Sequence, residues 1–154
     1  MPVRFRQEIQ ALSRGARQHS VTPALQSHEL RVVAAVLFDA RRRVLIAQRP
    51  AGKHMAGFWE FPGGKRAPGE GAEQALSREL DEELGIALQR CHSLLQLRHD
   101  YGDRSVALEV FIVDDYRGQP RGREGQALKW VPLEQLRCEQ LLEADRPVVE
   151  RLLG

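Results

Sequence analysis

Gly64 to Ile86, GKRAPGEGAEQALSRELDEELGI, is the stretch that most constrains this chain. Pro68, Gly69 and Gly71 interrupt regular structure, and the residues from Ala72 to Leu84 are good helix formers. Ala75, Leu76 and Leu80 recur at helical spacing and predict an apolar stripe. Gly85 supplies the helix stop. Beside the stripe stand Glu79, Glu82 and Glu83 at i, i+3 and i+4, which points them to one side. Like charges that close destabilise a bare helix, and a bound cation reverses that cost. Carboxylates in this number suit Mg²⁺ or Mn²⁺. A solvated acidic face accounts for the same charges without a ligand.

The flanking segments predict strands. Leu30 to Phe38 is a β-branched apolar run and reads as a central strand. Asp39 to Arg43 reads as a polar turn and Val44 to Gln48 as a second strand, the pair forming a hairpin. Pro50, Gly52 and Gly57 mark a loop, and Phe58 to Phe61 is a short aromatic strand ended by Pro62-Gly63-Gly64. After the helix, Leu94 to Arg98 and Val106 to Val113 read as strands around a polar turn at Tyr101 to Arg104. Val106, Leu108, Val110 and Ile112 fall on one face of the second. Asp114 to Gln126 reads as a loop, Ala127 to Val131 as a strand, and Pro132 to Leu136 as the start of a short helix. Ala144 to Leu153 predicts a terminal helix, with Pro147 early, where a missing N–H is tolerated. Strands with two main helices imply a layered α/β (α+β) sandwich.

A chain of 154 residues is one domain with room for one core. Residues 1–27 are of a different kind: Arg4, Arg6, Arg14 and Arg17 stand against the lone acid Glu8, with no continuous apolar run. This reads as an N-terminal extension or flexible tail, with an arginine-rich transit peptide as the alternative, before a domain at 28–154. The net charge of +2 and 6% aromatics, without a basic–aromatic stripe, argue against a stable nucleic-acid complex. No apolar run approaches the roughly 18 residues of a membrane span. Cys91 and Cys138 have no metal-site spacing and read as free thiols of a reducing compartment, so the expected location is the cytoplasm.

Gly64, Glu70, Arg78, Glu79, Leu80, Glu82, Glu83, Gly85 and Ile86 together form G-x5-E-x7-R-E-L-x-E-E-x-G-I. This resembles the Nudix box, the signature of Nudix hydrolases, with every position present. HMAG at His54 to Gly57 and WEFPGGK at Trp59 to Lys65 resemble the MutT-like branch. The resemblance implies a mixed β-sheet sandwiched between the box helix and the C-terminal helix. It implies a Mg²⁺-dependent enzyme, with Mn²⁺ able to substitute, that converts nucleoside triphosphates to monophosphate and pyrophosphate. Glu82, Glu83 and the Gly64 carbonyl are then the expected direct metal ligands. Glu79 is a further ligand or acts through metal-bound water, and Glu124, within GREGQ, matches the distal metal-site glutamate. Glu79 and Glu124 are both candidates for the general base.

Arg78 is expected to be structural, orienting a glutamate and pairing with Glu60. Arg49, His54, Phe61, Lys65, Arg104 and Asp145 are the candidate substrate-binding residues. Asp145 stands where the best-known 8-oxo-dGTPase pattern has asparagine; an ionised aspartate only accepts hydrogen bonds. The resemblance implies 8-oxo-dGTP as the leading substrate, while the Asp145 departure brings CTP, dCTP or a modified cytosine nucleotide second, with an RNA 5′-triphosphate behind them. The non-enzymatic alternatives are a nucleotide-binding regulatory domain and a protein-interaction module. The chain is expected to be a monomer or homodimer.

Overall fold

The computed structural model describes residues 29–52, 55–100 and 105–154. The expectations for residues 1–27, for His54, for Arg104 and for the Tyr101–Arg104 turn lie outside them.

Strand β1 (Glu29–Leu37) is central because both of its faces are apolar and both are covered. Val32, Ala34 and Val36 face one core cluster, which holds Val110, Val148 and Val149. Val33, Ala35 and Leu37 face the other, which holds Ala75, Leu76, Leu80 and Leu84 of helix α1 (Ala72–Leu84). Alternation along one strand thus buries the box helix on one side. On the other side it buries the terminal helix α2 (Arg146–Leu153), in which Pro147 is early as expected. Around β1 run β4 (Gly63–Lys65), β6 (Ser105–Arg117) and β5 (Ala87–Asp100), in the order β4-β1-β6-β5. β1 and β6 are parallel while the outer pairs are antiparallel, so the sheet is mixed. A second, antiparallel sheet has β2 (Arg43–Gln48) between β3 (Trp59–Glu60) and β7 (Leu128–Pro132).

Three expectations need correction. β1 and β2 are not a paired hairpin: a single bridge, Phe38 to Val44, joins them before they diverge into different sheets. Both edges of β1 are already taken by β4 and β6. The reversal itself is the polar turn expected, held by the Asp39 carboxylate, which accepts from the backbone N–H groups of Arg41 and Arg43. Second, β5 is much longer than Leu94–Arg98, because register shifts near Arg90 and Ser93 break the alternation by which a strand is recognised. Third, Asp114 to Arg117 continue β6 rather than opening a loop, paired with the start of β5 through Ala87 and Arg117.

Candidate active site

The site begins with the azimuth of α1. Leu76, Leu80 and Leu84 form one i, i+4 row and are fully buried. Ala75, Glu79 and Glu83 form the adjacent row, so the core-facing surface of the helix carries two carboxylates with it. Glu79 is 3% exposed and Glu83 5%. Arg78 and Glu82 lie one row further round, and the Glu82 side chain is 47% exposed.

Strand β4 closes over this row. The Gly63 N–H donates to Glu83 Oε2 at 3.0 Å. A Cβ at Gly64 would stand 2.5–2.6 Å from the carboxylate atoms of Glu79, so only glycine allows that backbone and that carboxylate to lie together. Arg78 ties the approach loop to the helix. Its Nε and Nη2 donate to the two oxygens of Glu70 at 2.8 and 2.9 Å. Nη2 also reaches the Lys65 carbonyl, and Nη1 donates to Glu79 Oε1 at 2.9 Å. Arg78 thus pairs with Glu70 and Glu79, and not with Glu60 as expected. Glu60 lies instead against the buried Arg49, Nη1 to Oε2 at 3.4 Å. Glu70, read from the sequence only as a motif position, is the main anchor of Arg78; the i to i+8 distance across a turn gave no signal for it.

Electrostatics follow from these partners. The Arg78 guanidinium, with the Ala67 N–H, pulls Glu70 down to about 2. Burial pushes Glu79 up against the opposing pull of Arg78. Burial pushes Glu83 well above the usual range, reinforced by the charges of Glu60, Glu79 and Glu124. The charges of three other carboxylates thus act on the buried Glu83. Glu124 acts from an exposed loop after β6, whose Arg123 N–H donates to the Glu83 carbonyl despite the distance in sequence.

The candidate substrate residues fall in two groups. The segment before α2 runs alongside β3, where Trp59 exchanges backbone hydrogen bonds with Gln140 and Leu142. That places the fully buried Asp145 so that its Oδ2 accepts from the Phe61 N–H at 3.2 Å. Phe61 itself is packed in the core. Arg49, Glu60, Phe61 and Asp145 therefore lie together behind the acidic row. Lys65 is separate, half-buried at the end of β4, on a cavity of about 510 Å³ also lined by Arg31, Arg66 and Glu70.

Among the described residues no three His, Cys, Asp or Glu side chains stand in ready-made metal-holding geometry. The donor set nonetheless fits a hard cation. Glu79 Oε2 is buried with no hydrogen-bond partner among the described residues, and Glu83 carries a charge that its surroundings oppose. A divalent cation relieves both, and oxygen donors are the ones Mg²⁺ and Mn²⁺ take.

An acidic helix row against a glycine strand defines the class, and residues 33–151 match the family profile of the NUDIX domain. The chain belongs to the Nudix hydrolase family, enzymes that act on pyrophosphate bonds and generally need a divalent metal. Within it the chain is MutT-like. It is 43% identical over 101 residues to an 8-oxo-dGTP diphosphatase of Proteus vulgaris, which spans 66% of this chain and 90% of that one. A CTP pyrophosphohydrolase of Escherichia coli is 38% identical over 125 residues, 81% of this chain and 92% of its own. Among solved structures, a MutT structure from work on Aliivibrio salmonicida and Vibrio cholerae superposes with a TM-score of 0.74 at 37% identity. It covers 82% of this chain and 98% of its own. The solution structure of the E. coli ORF135 protein gives 0.76 at 36%, over 86% and 94%. Among the described residues no helix is long and apolar enough to cross a membrane.

Proposed function

We propose that this enzyme hydrolyses a nucleoside triphosphate to the monophosphate and pyrophosphate, with Mg²⁺ as cofactor, and that 8-oxo-dGTP is its substrate. The observation that carries the reading is the buried Glu79–Glu83 row against Gly63 and Gly64, with Glu124 alongside. Glu82, Glu83 and the Gly64 carbonyl would hold the cation, with Glu79 and Glu124 completing its surroundings. When bound, the cation neutralises phosphoryl charge and orients the substrate.

The chain's own residues do the rest. Glu79 is the better candidate for the base: Arg78 fixes Oε1, and Oε2 is left as the acceptor for a water proton. Its raised pKa strengthens it for that task near neutral pH. Water attacks the β-phosphorus and the nucleoside monophosphate leaves. Arg78, locked by Glu70, holds the base in place. Asp145 reads the base, supported by its fixed bond to the Phe61 amide, while Arg49 supports the same wall through Glu60. Lys65 meets phosphate from the end of β4, and His54 and Arg104 are proposed to border the nucleotide. The enzyme then works on the cytoplasmic nucleotide pool.

A cytosine nucleotide is the second reading. It is favoured by Asp145, an acceptor-only group when ionised, and by the similarity to a CTP pyrophosphohydrolase. The test is kcat/KM for 8-oxo-dGTP, dGTP, CTP, dCTP and 5-methyl-dCTP under one set of conditions. A tenfold preference for a cytosine nucleotide, about 1.4 kcal/mol of transition-state binding, overturns the oxidised-guanine assignment. Hydrolysis in ¹⁸O water should label the pyrophosphate; label in the monophosphate refutes attack at the β-phosphorus.

A further inference from the structure

The last four carbonyls of an α-helix lack partners within the helix. In α1 the Asp81 carbonyl accepts from the capping Gly85 N–H at 3.0 Å, which leaves Glu82, Glu83 and Leu84, and the last turn contains no basic residue of its own. The Glu124 loop supplies donors to two of them and a second donor to Asp81. The Arg121 N–H donates to the Leu84 carbonyl at 3.1 Å and the Arg123 N–H to the Glu83 carbonyl at 3.0 Å. The Arg123 guanidinium reaches the Asp81 carbonyl at 2.9 Å.

Gln126 adds a contact of another kind. Its Nε2 donates to the Glu83 carbonyl at 3.0 Å, while its Oε1 accepts from the Glu124 N–H at 2.9 Å. One planar carboxamide therefore bridges the main chains of two glutamates assigned to the same site. The loop is folded tightly enough for this only because residue 122 is glycine: a Cβ there would lie 2.1 Å from the Gln126 carbonyl oxygen.

We infer that Gln126 is a positioning residue, whose side-chain amide sets the distance between the box helix and the Glu124 carboxylate. The inference rests on the proposed role of Glu124 at the metal site. The amide is needed because the bridge requires a donor and an acceptor on one end group. Leucine provides neither, and glutamate offers acceptors only, one of which would face the Glu83 carbonyl. Glu124 itself lies on the exposed part of the loop. Arg121 and Arg123 tie the loop to the helix end, and Gln126 alone among these ties also holds the Glu124 N–H.

The test is a double-mutant cycle of Q126L with E124Q, repeated with Q126E in place of Q126L. It is read by kcat, by Mn²⁺ affinity of the nucleotide-free protein, and by amide hydrogen exchange at Glu124. Each Gln126 variant should lower kcat and weaken Mn²⁺ binding by tenfold or more, with KM changed less than threefold. Exchange at the Glu124 amide should rise by tenfold or more in Q126L, which removes its acceptor. In the E124Q background either substitution should change Mn²⁺ affinity by less than twofold, because the group it positions is already gone. Multiplicative losses in the double variant overturn the inference, as do unchanged Gln126 variants beside an impaired E124Q. An E124Q protein with undiminished Mn²⁺ affinity and turnover refutes instead the metal-site role of Glu124.

Discussion

Glu83→Gln should inactivate the enzyme and yet stabilise the metal-free fold. Glu83 is almost wholly buried, and Glu60, Glu79 and Glu124 all oppose its charge. The Arg78 guanidinium is spent on Glu70, Glu79 and Glu82. Burying one ion costs several kcal/mol, of which the hydrogen bond from Gly63 returns about 1.5–3 kcal/mol. Glutamine keeps the volume and the acceptor for Gly63, and its amide N–H groups face carboxylates that now attract them. A gain of about 1–2 kcal/mol is expected, as for other relieved functional sites. At about 2–4 °C per kcal/mol for a chain this size, Tm should rise by roughly 2–8 °C.

The assay is thermal unfolding of both proteins in EDTA from pH 4.5 to 8.5. Because the pKa of Glu83 is raised, the folded chain holds that proton more tightly than the unfolded chain. Wild-type stability from this group is complete below the ordinary value of 4.5 and is lost as pH rises through the raised value. The advantage of the glutamine variant should therefore be small near pH 4.5 and grow with pH. Saturating Mg²⁺ should raise the wild-type Tm more than that of the variant. A variant less stable than wild type in EDTA, or an advantage that does not change with pH, refutes the reasoning.

Glu70→Gln should lower Tm at pH 7 and leave it nearly unchanged near pH 2. Arg78 holds Glu70 at about 2, so its contribution is present above 4.5 and lost as pH falls through about 2. Gly64→Ala should reduce kcat by about 100-fold, since a displacement of about 1 Å costs that much and the Cβ must push Glu79 aside; an effect below threefold counts against the packing described. Exposed Cys138 should alkylate at pH 8 well before Cys91, whose thiol is raised to about 11, and peptide mapping after brief iodoacetamide treatment reads the ratio.

What was legible in the sequence was local. The box helix runs from Ala72 to Leu84 as its composition predicts, and ends at Gly85, whose φ of 69° is the left-handed cap. The strand face at Val106, Leu108 and Val110 is buried as its alternation predicts. What was hidden depends on partners far along the chain. Periodicity along β2 is satisfied by any sheet that covers it, so it could not reveal that β3 and β7, rather than β1, are its neighbours. The sequence leaves the partner of Glu60 open for the same reason: a buried acid announces a base, and Arg49 and Arg78 both qualify until the strands are placed. Gln126 is a polar residue on a loop, and its sequence context does not show that both ends of its amide are in use.

The spacing of the glutamates carries more information than their number. Glu79, Glu82 and Glu83 read on paper as one acidic side, but a rotation of about 100° per residue separates Glu82 from Glu83. On the folded helix that rotation divides a half-exposed carboxylate from one that is 5% exposed. The leucine row at Leu76, Leu80 and Leu84 decides which is which, because its burial sets the helix azimuth. Sliding the glutamates one position along the leucines would leave the charge count unchanged and would move the desolvated pair out to the rim or into the core. The box motif is therefore a joint specification of an apolar row, a desolvated acidic row beside it, and an arginine at the rim. Its glycine on the facing strand lets the backbone come close enough for the second row to work.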